Sequence, residues 1–463
     1  MACDVGHSHS LVTSSQAALP RRPLRVLLGA FGDPGHAFPM IALGRSLAAR
    51  GHDVTLQTWE RWRAAVESEG LAFTPAPEYS AFPIPVPDRH GLPRPLDFYE
   101  AVVYTTRDTL PLVEDLRPDI VVHDILTLGP ALAGELAGIP CATLIPHVHP
   151  DTEPGFPIYS FGALLPRTRL GRALWRRAHL PVRRGLESGR LALNRTRAQV
   201  GLPPLSHPHG GTSRELALVA TFPQLEYPRP WPSHVHVVGP LLWEPPAKEV
   251  ALPDGRVPTS VAGNGSANGD RSEDEDGAAE WPLVLVAPST SQDPDHRLLH
   301  AALRGLADAP VRVIATYNRR LPSRPLPVPS NARVVDWLSY ARTMPACDAV
   351  VCHAGHGTLA RALSLGVPVV ACPVAGDMNE NAARLAWSGA GVRLPRRFIS
   401  PRPLRRAVER VLAEPSIRER ARELGAWVST HDAGANAAAL IEGIAGSAGS
   451  PRDKREPITI ARG

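Results

Sequence analysis

The stretch CDAVVCHAGHGTLARALSLGVPVV, Cys347–Val370, joins two patterns at an abrupt junction. Cys347–Val351 is short and mostly apolar, as a buried strand is, whereas Leu359–Leu365 has helical spacing and stops on Gly366. Val367–Val370 is apolar again. A strand, a helix and a second apolar strand predict a parallel sheet covered by helices on both faces. Between the first strand and the helix stand His353, Ala354, Gly355, His356, Gly357 and Thr358, small and polar where Ala or Leu would pack better. In such sheets ligands bind outside the carboxyl ends of the strands. The first turn of a helix there offers unpaired N–H groups and a partial positive charge, which attract phosphate. Gly355 and Gly357 let an oxygen approach the backbone, while Thr358 adds a hydroxyl and His353 a ring N–H. An anion site is the functional reading; a tight glycine turn beside a half-buried histidine is the alternative.

The flanking residues sharpen this reading. Downstream, GVPVVACPVAGDMNENAA is a strand and loop in which Asp377 and Asn381 open the next helix. A carboxylate repels phosphate but accepts hydrogen bonds from the hydroxyls of a neighbouring sugar. Upstream, Trp337 lies just past the strand-like ARVVDW, where an indole can stack on a base or pack into the core. Base platform, phosphate cradle and sugar acceptor, in that order, describe a nucleotide-sugar site. From Trp337 to Ala382 the sequence resembles the donor box of glycosyltransferase family 1, the UDP-glycosyltransferase-like enzymes of GT-B fold, in their bacterial natural-product and macrolide form. The resemblance covers residues 25–440. It implies that Trp337 stacks on the nucleobase, that His353 with the turn Gly355, His356, Gly357 and Thr358 holds the diphosphate, and that Asp377, with Asn381, binds the donor sugar. Two departures stand out: Met378 replaces the Gln of many members, and His356–Gly357 replace the Trp–Asn of the plant version.

Strand and helix alternate from Arg25 onward, so the expected class is α/β: two doubly wound, Rossmann-like domains facing across a cleft. Residues 245–281 lack an apolar period and are rich in Gly, Pro and acids, which reads as a flexible linker. The expected division is a disordered leader 1–22, a first domain 23–244 that binds the acceptor, the linker 245–281, a second domain 282–446 that binds the nucleotide sugar, and a disordered tail 447–463. At 463 residues the chain is too long for one ordinary core.

Near the first strand, GDPGHAFPMIALGRSLAARG places His36 in a turn ahead of a helix that carries Pro39 in its first turn. An imidazole has a pKa near neutrality and can remove a hydroxyl proton, given a partner for its other nitrogen. The Gly35-His36-x-x-Pro39 segment resembles the N-terminal signature of the same family, which implies that His36 is the general base. Asp124, ending the strand DIVVHD at the matching end of the same sheet, fits the family's paired acid, and His123 would point to the opposite side. The expected reaction is an inverting transfer from a UDP- or dTDP-sugar to a hydroxyl of a lipophilic small molecule, with no metal or other cofactor. Ser289 and Thr290, ending the first strand of the second domain, stand where the family places a hydroxyl near the phosphates, but equally serve as helix caps. A nucleotide-sugar epimerase on the same fold and a transferase with a membrane-lipid acceptor are the rival readings.

Acceptor contacts must come from loops of the first domain. The Pro-rich loop with Phe82 and the segment after Ile145, with His147 and Phe156, are the candidates. His147 and His149 also invite a metal reading, but without an acid cluster they read as pocket wall or loop surface. Residues 167–190 carry eight Arg and one Glu among leucines, the pattern of either a solvated helix or one in weak peripheral contact with an anionic membrane. The overall excess of charge, +5 from 50 Lys+Arg and 45 Asp+Glu, is mild and argues against nucleic acid as a partner. Five cysteines without a CxxC pair argue against a disulfide framework or zinc site and fit a cytoplasmic protein. No run approaches the ~20 apolar residues of a membrane span, and the leader does not read as a signal peptide; peripheral contact would place the chain at the inner membrane surface.

Overall fold

The computed structural model describes residues 22–78, 84–87, 93–96, 98–150, 153–208, 211–247, 250–252, 281–289 and 293–447. The expected leader (apart from Arg22), most of the linker, the tail from 448, Phe82 and Thr290 lie outside the described residues. The first half runs β1 (Arg25–Gly29), α1 (Pro34–Ala49), β2 (Asp53–Thr58), α2 (Arg63–Ser68) and β3 (Ala72–Pro75). A hairpin of β4 (Ile84–Pro87) and β5 (Pro93–Leu96) follows inside the Pro-rich stretch that the sequence presents as a loop. Next come α3 (Phe98–Leu116), β6 (Ile120–Asp124), α4 (Leu128–Leu136), β7 (Cys141–Ile145), the 31-residue α5 (Arg169–Gln199), β8 (Leu216–Val219) and β9 (Val235–Val237). The second half runs β10 (Leu283–Ala287), α6 (Arg297–Gly305), β11 (Arg312–Thr316), β12 (Ala332–Val335), α7 (Tyr340–Thr343), β13 (Ala349–Cys352), α8 (His356–Ser364), β14 (Val369–Ala371), α9 (Asp377–Ser388) and β15 (Gly391–Arg393). Helices α10 (Pro401–Ala413), α11 (Pro415–Ser429) and α12 (Ala433–Ser447) close the described chain.

Among the described residues these strands form two parallel sheets besides the hairpin, in the orders β3-β2-β1-β6-β7-β8-β9 and β12-β11-β10-β13-β14-β15. Strands buried on both faces, such as LVLVA of β10 and AVVC of β13, have no face to show water, which is why they read as continuous apolar runs. In each sheet the order reverses once, between β1 and β6 and between β10 and β13. Connections leaving these neighbours diverge, so each reversal opens a crevice at the carboxyl ends. Gly29 pairs with His123 across the first reversal and Ala287 with Cys352 across the second. The strand end that leads to His36 and the one that carries Asp124, and likewise those that lead to Ser289 and His353, are therefore neighbours by register.

The first core forms around Val26, Leu28, Leu56, Val122 and Leu144, with α1 laid over it. The last helix belongs to this core too: Ala433, Ala437, Ala438 and Ile441 of α12 pack there, although the sequence division groups residues up to 446 with the second half. Arg50 holds Glu442 through two hydrogen bonds of 2.6 and 2.7 Å, and His52 lies 2.9 Å from the same carboxylate. A second core cluster mixes Val148, Phe222 and Leu225 of the first half with Leu283, Val350 and Leu359 of the second, so an apolar seam joins the two. Burying each of those first-half side chains contributes roughly 1.5–3 kcal/mol to the association. Leu385 of α9 and Met378 at its start also pack against this cluster, which ties the start of α9 to the seam.

Candidate active site

Helix α1 begins at Pro34, three residues before the sequence pattern places it, because Pro34 suits the first helical position, where no N–H is needed. His36 accordingly stands in the first turn of the helix and not ahead of it. Its Nδ1 lies 3.0 Å from Asp124 Oδ1, and its side chain is 16% exposed while that of Asp124 is fully buried. Asp124 also accepts the Leu126 N–H at 2.7 Å on Oδ1, and on Oδ2 the Thr127 hydroxyl at 2.7 Å and the Phe31 N–H. Burial opposes the charge, but His36 and these donors outweigh it and hold the carboxyl below its ordinary pKa. An ionised carboxylate only accepts, so the His36 proton sits on Nδ1 and the lone pair on Nε2. For His36, burial again opposes charge, and Asp124, then Asp377 and Asp33, outweigh it, so its pKa is raised. His123, on the other face of the strand as expected, is buried between the Asp124 carbonyl and the Thr143 hydroxyl.

His147 lies with its ring 6.4 Å from that of His36, centroid to centroid. Its Nδ1 is 2.8 Å from the Val148 carbonyl, to which it donates, and 3.2 Å from the Tyr159 hydroxyl. Burial first, and the nearby His36, lower its pKa against the pull of Asp377 and Glu226. Phe156 stacks on Tyr227 at 6.1 Å. His179 of α5 holds the Phe156 carbonyl at 3.2 Å, which anchors this wall to the long helix.

In the second half His353 Nδ1 donates to the Ala287 carbonyl at 3.3 Å, across the strand reversal. Gly355 has a steric reason besides access: a Cβ there would overlap His353 Nε2. Gly357 is exposed with open space where a Cβ would lie, and Thr358 is half-buried beside it in the first turn of α8. His356 is turned away from that opening: its Nε2 donates to the Ala220 carbonyl of the first half at 3.2 Å, and burial lowers its pKa to about 4. It is a seam residue in this geometry. Asn381 is buried as well, and its amide donates to the Ala354 carbonyl at 3.1 Å and to Asp377 Oδ2 at 3.3 Å, so it holds the glycine turn and the acid together. Ser289 is buried just past β10. Trp337 is half-buried just past β12, with the Arg319 guanidinium 4.8 Å from its ring centre and its Nε1 buried without a partner.

The structure thus brings His36, Asp124 and His147 together, with Asp377 near enough for its charge to act on His36, His147, Tyr159 and His353. Sequence reasoning missed Tyr159, Tyr227, Arg319, Glu226 and Arg384. Tyr159 lies in a segment without periodicity, and Arg319 follows Asn318 in a loop where both adopt positive φ, 61° and 52°. Neither position carries a sequence signal of its own. Among the described residues no group of three His, Cys, Asp or Glu could hold a metal ion, and no helix is long and apolar enough to cross a membrane.

Comparison with known proteins gives a consistent result. The family model described as "Erythromycin biosynthesis protein CIII-like, C-terminal domain" matches residues 300–444. The 4'-demethylrebeccamycin synthase of Lentzea aerocolonigenes is 31% identical over 91% of this chain and 99% of its own length. The O-mycaminosyltylonolide 6-deoxyallosyltransferase of Streptomyces fradiae is 29% identical over 90% and 97%. The crystal structure of the kitacinnamycin glycotransferase superposes with a TM-score of 0.67 at 21% identity, over 91% of this chain and 99% of that one. The glycosyltransferase VinC, solved with dTDP, gives 0.61 at 20% identity, over 92% and 100%.

Proposed function

This chain belongs to the natural-product glycosyltransferases of GT-B fold, and from that membership we propose that it transfers a sugar from a dTDP- or UDP-linked donor to a hydroxyl of a lipophilic small molecule, with inversion and with His36 as general base. Its being a transferase sets the epimerase reading aside. The observation that carries the proposal is the His36–Asp124 contact of 3.0 Å at one strand reversal, under the field of Asp377 from the other half.

The steps follow from the chemistry of these groups. His36 Nε2 takes the proton of the acceptor hydroxyl as its oxygen attacks the anomeric carbon. The bond from that carbon to the nucleoside diphosphate breaks on the opposite face, and its electrons leave on the phosphate oxygen. Asp124 stabilises the imidazolium formed. The first-turn N–H groups of α8 face the departing charge, so the displacement is written without a metal ion or other cofactor. Trp337 would carry the base, Asp377 the sugar hydroxyls, and His147 and Phe156 the acceptor wall. The bound dTDP of VinC supports the dTDP option. A peripheral contact of α5 with an anionic membrane surface is a separate proposal. It rests on the exposed Leu170, Leu174 and Leu180 beside Arg177 and Arg184. A cytoplasmic location, at most peripheral at the inner membrane surface, is proposed with it.

A thermal-shift panel of dTDP-, UDP- and GDP-sugars tests the donor side, since a ligand that binds only the folded state raises the melting temperature. His36→Ala tests the base: nucleotide affinity is expected to stay within about threefold while transfer falls by about 10²–10⁴. Unchanged turnover would remove His36 from the mechanism.

A further inference from the structure

Beneath the site lies a buried cluster of charges that none of the steps above uses. Glu226, just past Leu225 at the seam, is 5% exposed. Its Oε1 accepts the backbone N–H of His149 at 2.6 Å, two residues from His147. Its Oε2 accepts Arg384 Nη1 of α9 at 2.9 Å and Arg229 Nη2 at 3.3 Å. Arg384 also binds Glu380 Oε1 at 2.8 Å and the Leu225 carbonyl at 3.3 Å, and its guanidinium lies 3.7 Å over the Tyr227 ring, on which Phe156 stacks. Two acids and two arginines share this space, all nearly buried.

Such a cluster is a poor device for stability alone, because burying ions costs about as much as their attraction returns. What it does supply is geometry: a planar guanidinium fixes direction in a way an apolar contact cannot. One carboxylate here holds both sides of the opening. Through Arg384 it grips α9, whose first residue is Asp377 and whose Asn381 holds the glycine turn. Through the His149 N–H it grips the strand end that presents His147 to His36.

We propose that Glu226 and Arg384 are positioning residues, a cross-domain latch that sets the donor helix α9 and the acceptor wall at His147 in register. The proposal builds on the donor and acceptor sides assigned above, but the latch is a mechanical statement that stands or falls separately. Its charge balance predicts that either partner alone is inadequate, and that replacing Arg384 by Lys, which keeps charge but loses the fork, restores part of the effect.

The test uses the full chain with ¹³C-labelled histidine, the His147 ring signal being assigned by its loss in His147→Gln. In Arg384→Met that signal is expected to move from its wild-type position, and in Arg384→Lys to move less. Glu226→Gln, which keeps an acceptor for His149 and removes the charge, is the second variant should Arg384→Met not fold. The double variant is expected to place the signal where the single variants do, while the affinity for thymidine diphosphate, by calorimetry, stays within about threefold. An unmoved His147 signal in a variant that melts cooperatively, or shifts that simply add in the double variant, would overturn the latch. Failure of the wild type to bind any nucleoside diphosphate would instead overturn the donor reading and leave the ring-signal result standing.

Discussion

Replacing Asp124 by Asn keeps the shape of the side chain and removes its charge, and the structure allows the consequence to be worked through. The two oxygens accept four donors: His36 Nδ1 and Leu126 N–H on Oδ1, Phe31 N–H and the Thr127 hydroxyl on Oδ2. An amide must place its NH₂ at one of the two positions. At Oδ1 it orphans the Leu126 N–H and turns His36 into the tautomer with its proton on Nε2, useless as a base. At Oδ2 the Thr127 hydroxyl can reverse and accept, but the Phe31 N–H is orphaned and the imidazolium loses its counter-charge. Either arrangement leaves one buried backbone donor unpaired, a cost of about 1–3 kcal/mol in stability. Either also removes base assistance worth about 10²–10⁴ in rate, with the wrong tautomer at the upper end. The pH dependence has a fixed sign. On the proposed mechanism His36 acts when neutral, so kcat/KM should rise with pH through its raised pKa. Since Asp124 is the chief group raising that pKa, the variant's rise should come at lower pH and reach a lower plateau. The assay is kcat/KM against pH at saturating donor, with nucleotide affinity as the control. A folded Asp124→Asn enzyme with the wild-type plateau, or with its rise at the same pH, would refute the pairing as the source of catalysis.

Other expectations follow from single contacts. Gly355→Ala drives a methyl into His353 Nε2 and should weaken nucleotide binding tenfold or more in calorimetry without lowering the melting temperature much, since Gly355 is half-buried at a helix start. Trp337→Ala removes a stacking surface worth about 1–3 kcal/mol per base, so nucleoside diphosphate affinity should fall roughly 5- to 150-fold; an unchanged dissociation constant would return Trp337 to the core. Ile441→Ala, deep in the first core though far along the chain, should cost about 2–5 kcal/mol in chemical unfolding and leave nucleotide affinity untouched. Anionic vesicles should retain the protein at low salt and release it when Arg177 and Arg184 become Glu; sedimentation that ignores this change would dismiss a membrane role for α5.

How much of this was legible depended on whether a residue's role is local. The strands themselves were readable, because β1, β6, β10 and β13 are largely buried and their text is mostly apolar; where the strand order reverses was not, since it depends on pairings between distant segments. The pairing of His36 with Asp124 was readable through the family resemblance and their place at the carboxyl end of one sheet, and the two side chains lie 3.0 Å apart. The motif places His356 and Asn381 among the ligand contacts, yet both side chains are engaged within the protein, with Ala220 and Ala354. A motif gives the neighbourhood of a side chain but not its direction, which the seam decides. The return of α12 to the first core leaves no trace in its own text, as an Ala-rich apolar face suits either half equally. Glu226 and Arg384 lie 158 residues apart and belong to no motif.

The two imidazoles at the opening show why position outranks residue type. His36 and His147 lie 6.4 Å apart, yet burial with Asp124 in contact leaves the first with a raised pKa, and burial without such a partner leaves the second lowered. Their linkage to stability has opposite signs. His36 contributes stability that is full below its ordinary pKa and is lost as pH rises through its raised one. His147 is held neutral, so it favours the fold above its ordinary pKa and loses that advantage as pH falls through its lowered one. Environments that push two like groups apart favour His36 over His147 as the base of the proposed mechanism. Near neutrality His147 has already lost its proton and serves as a hydrogen-bonding wall, whereas His36 gains basicity from the carboxylate behind it. Exchanging their roles would require moving Asp124, and Asp124 is fixed by the strand that carries it.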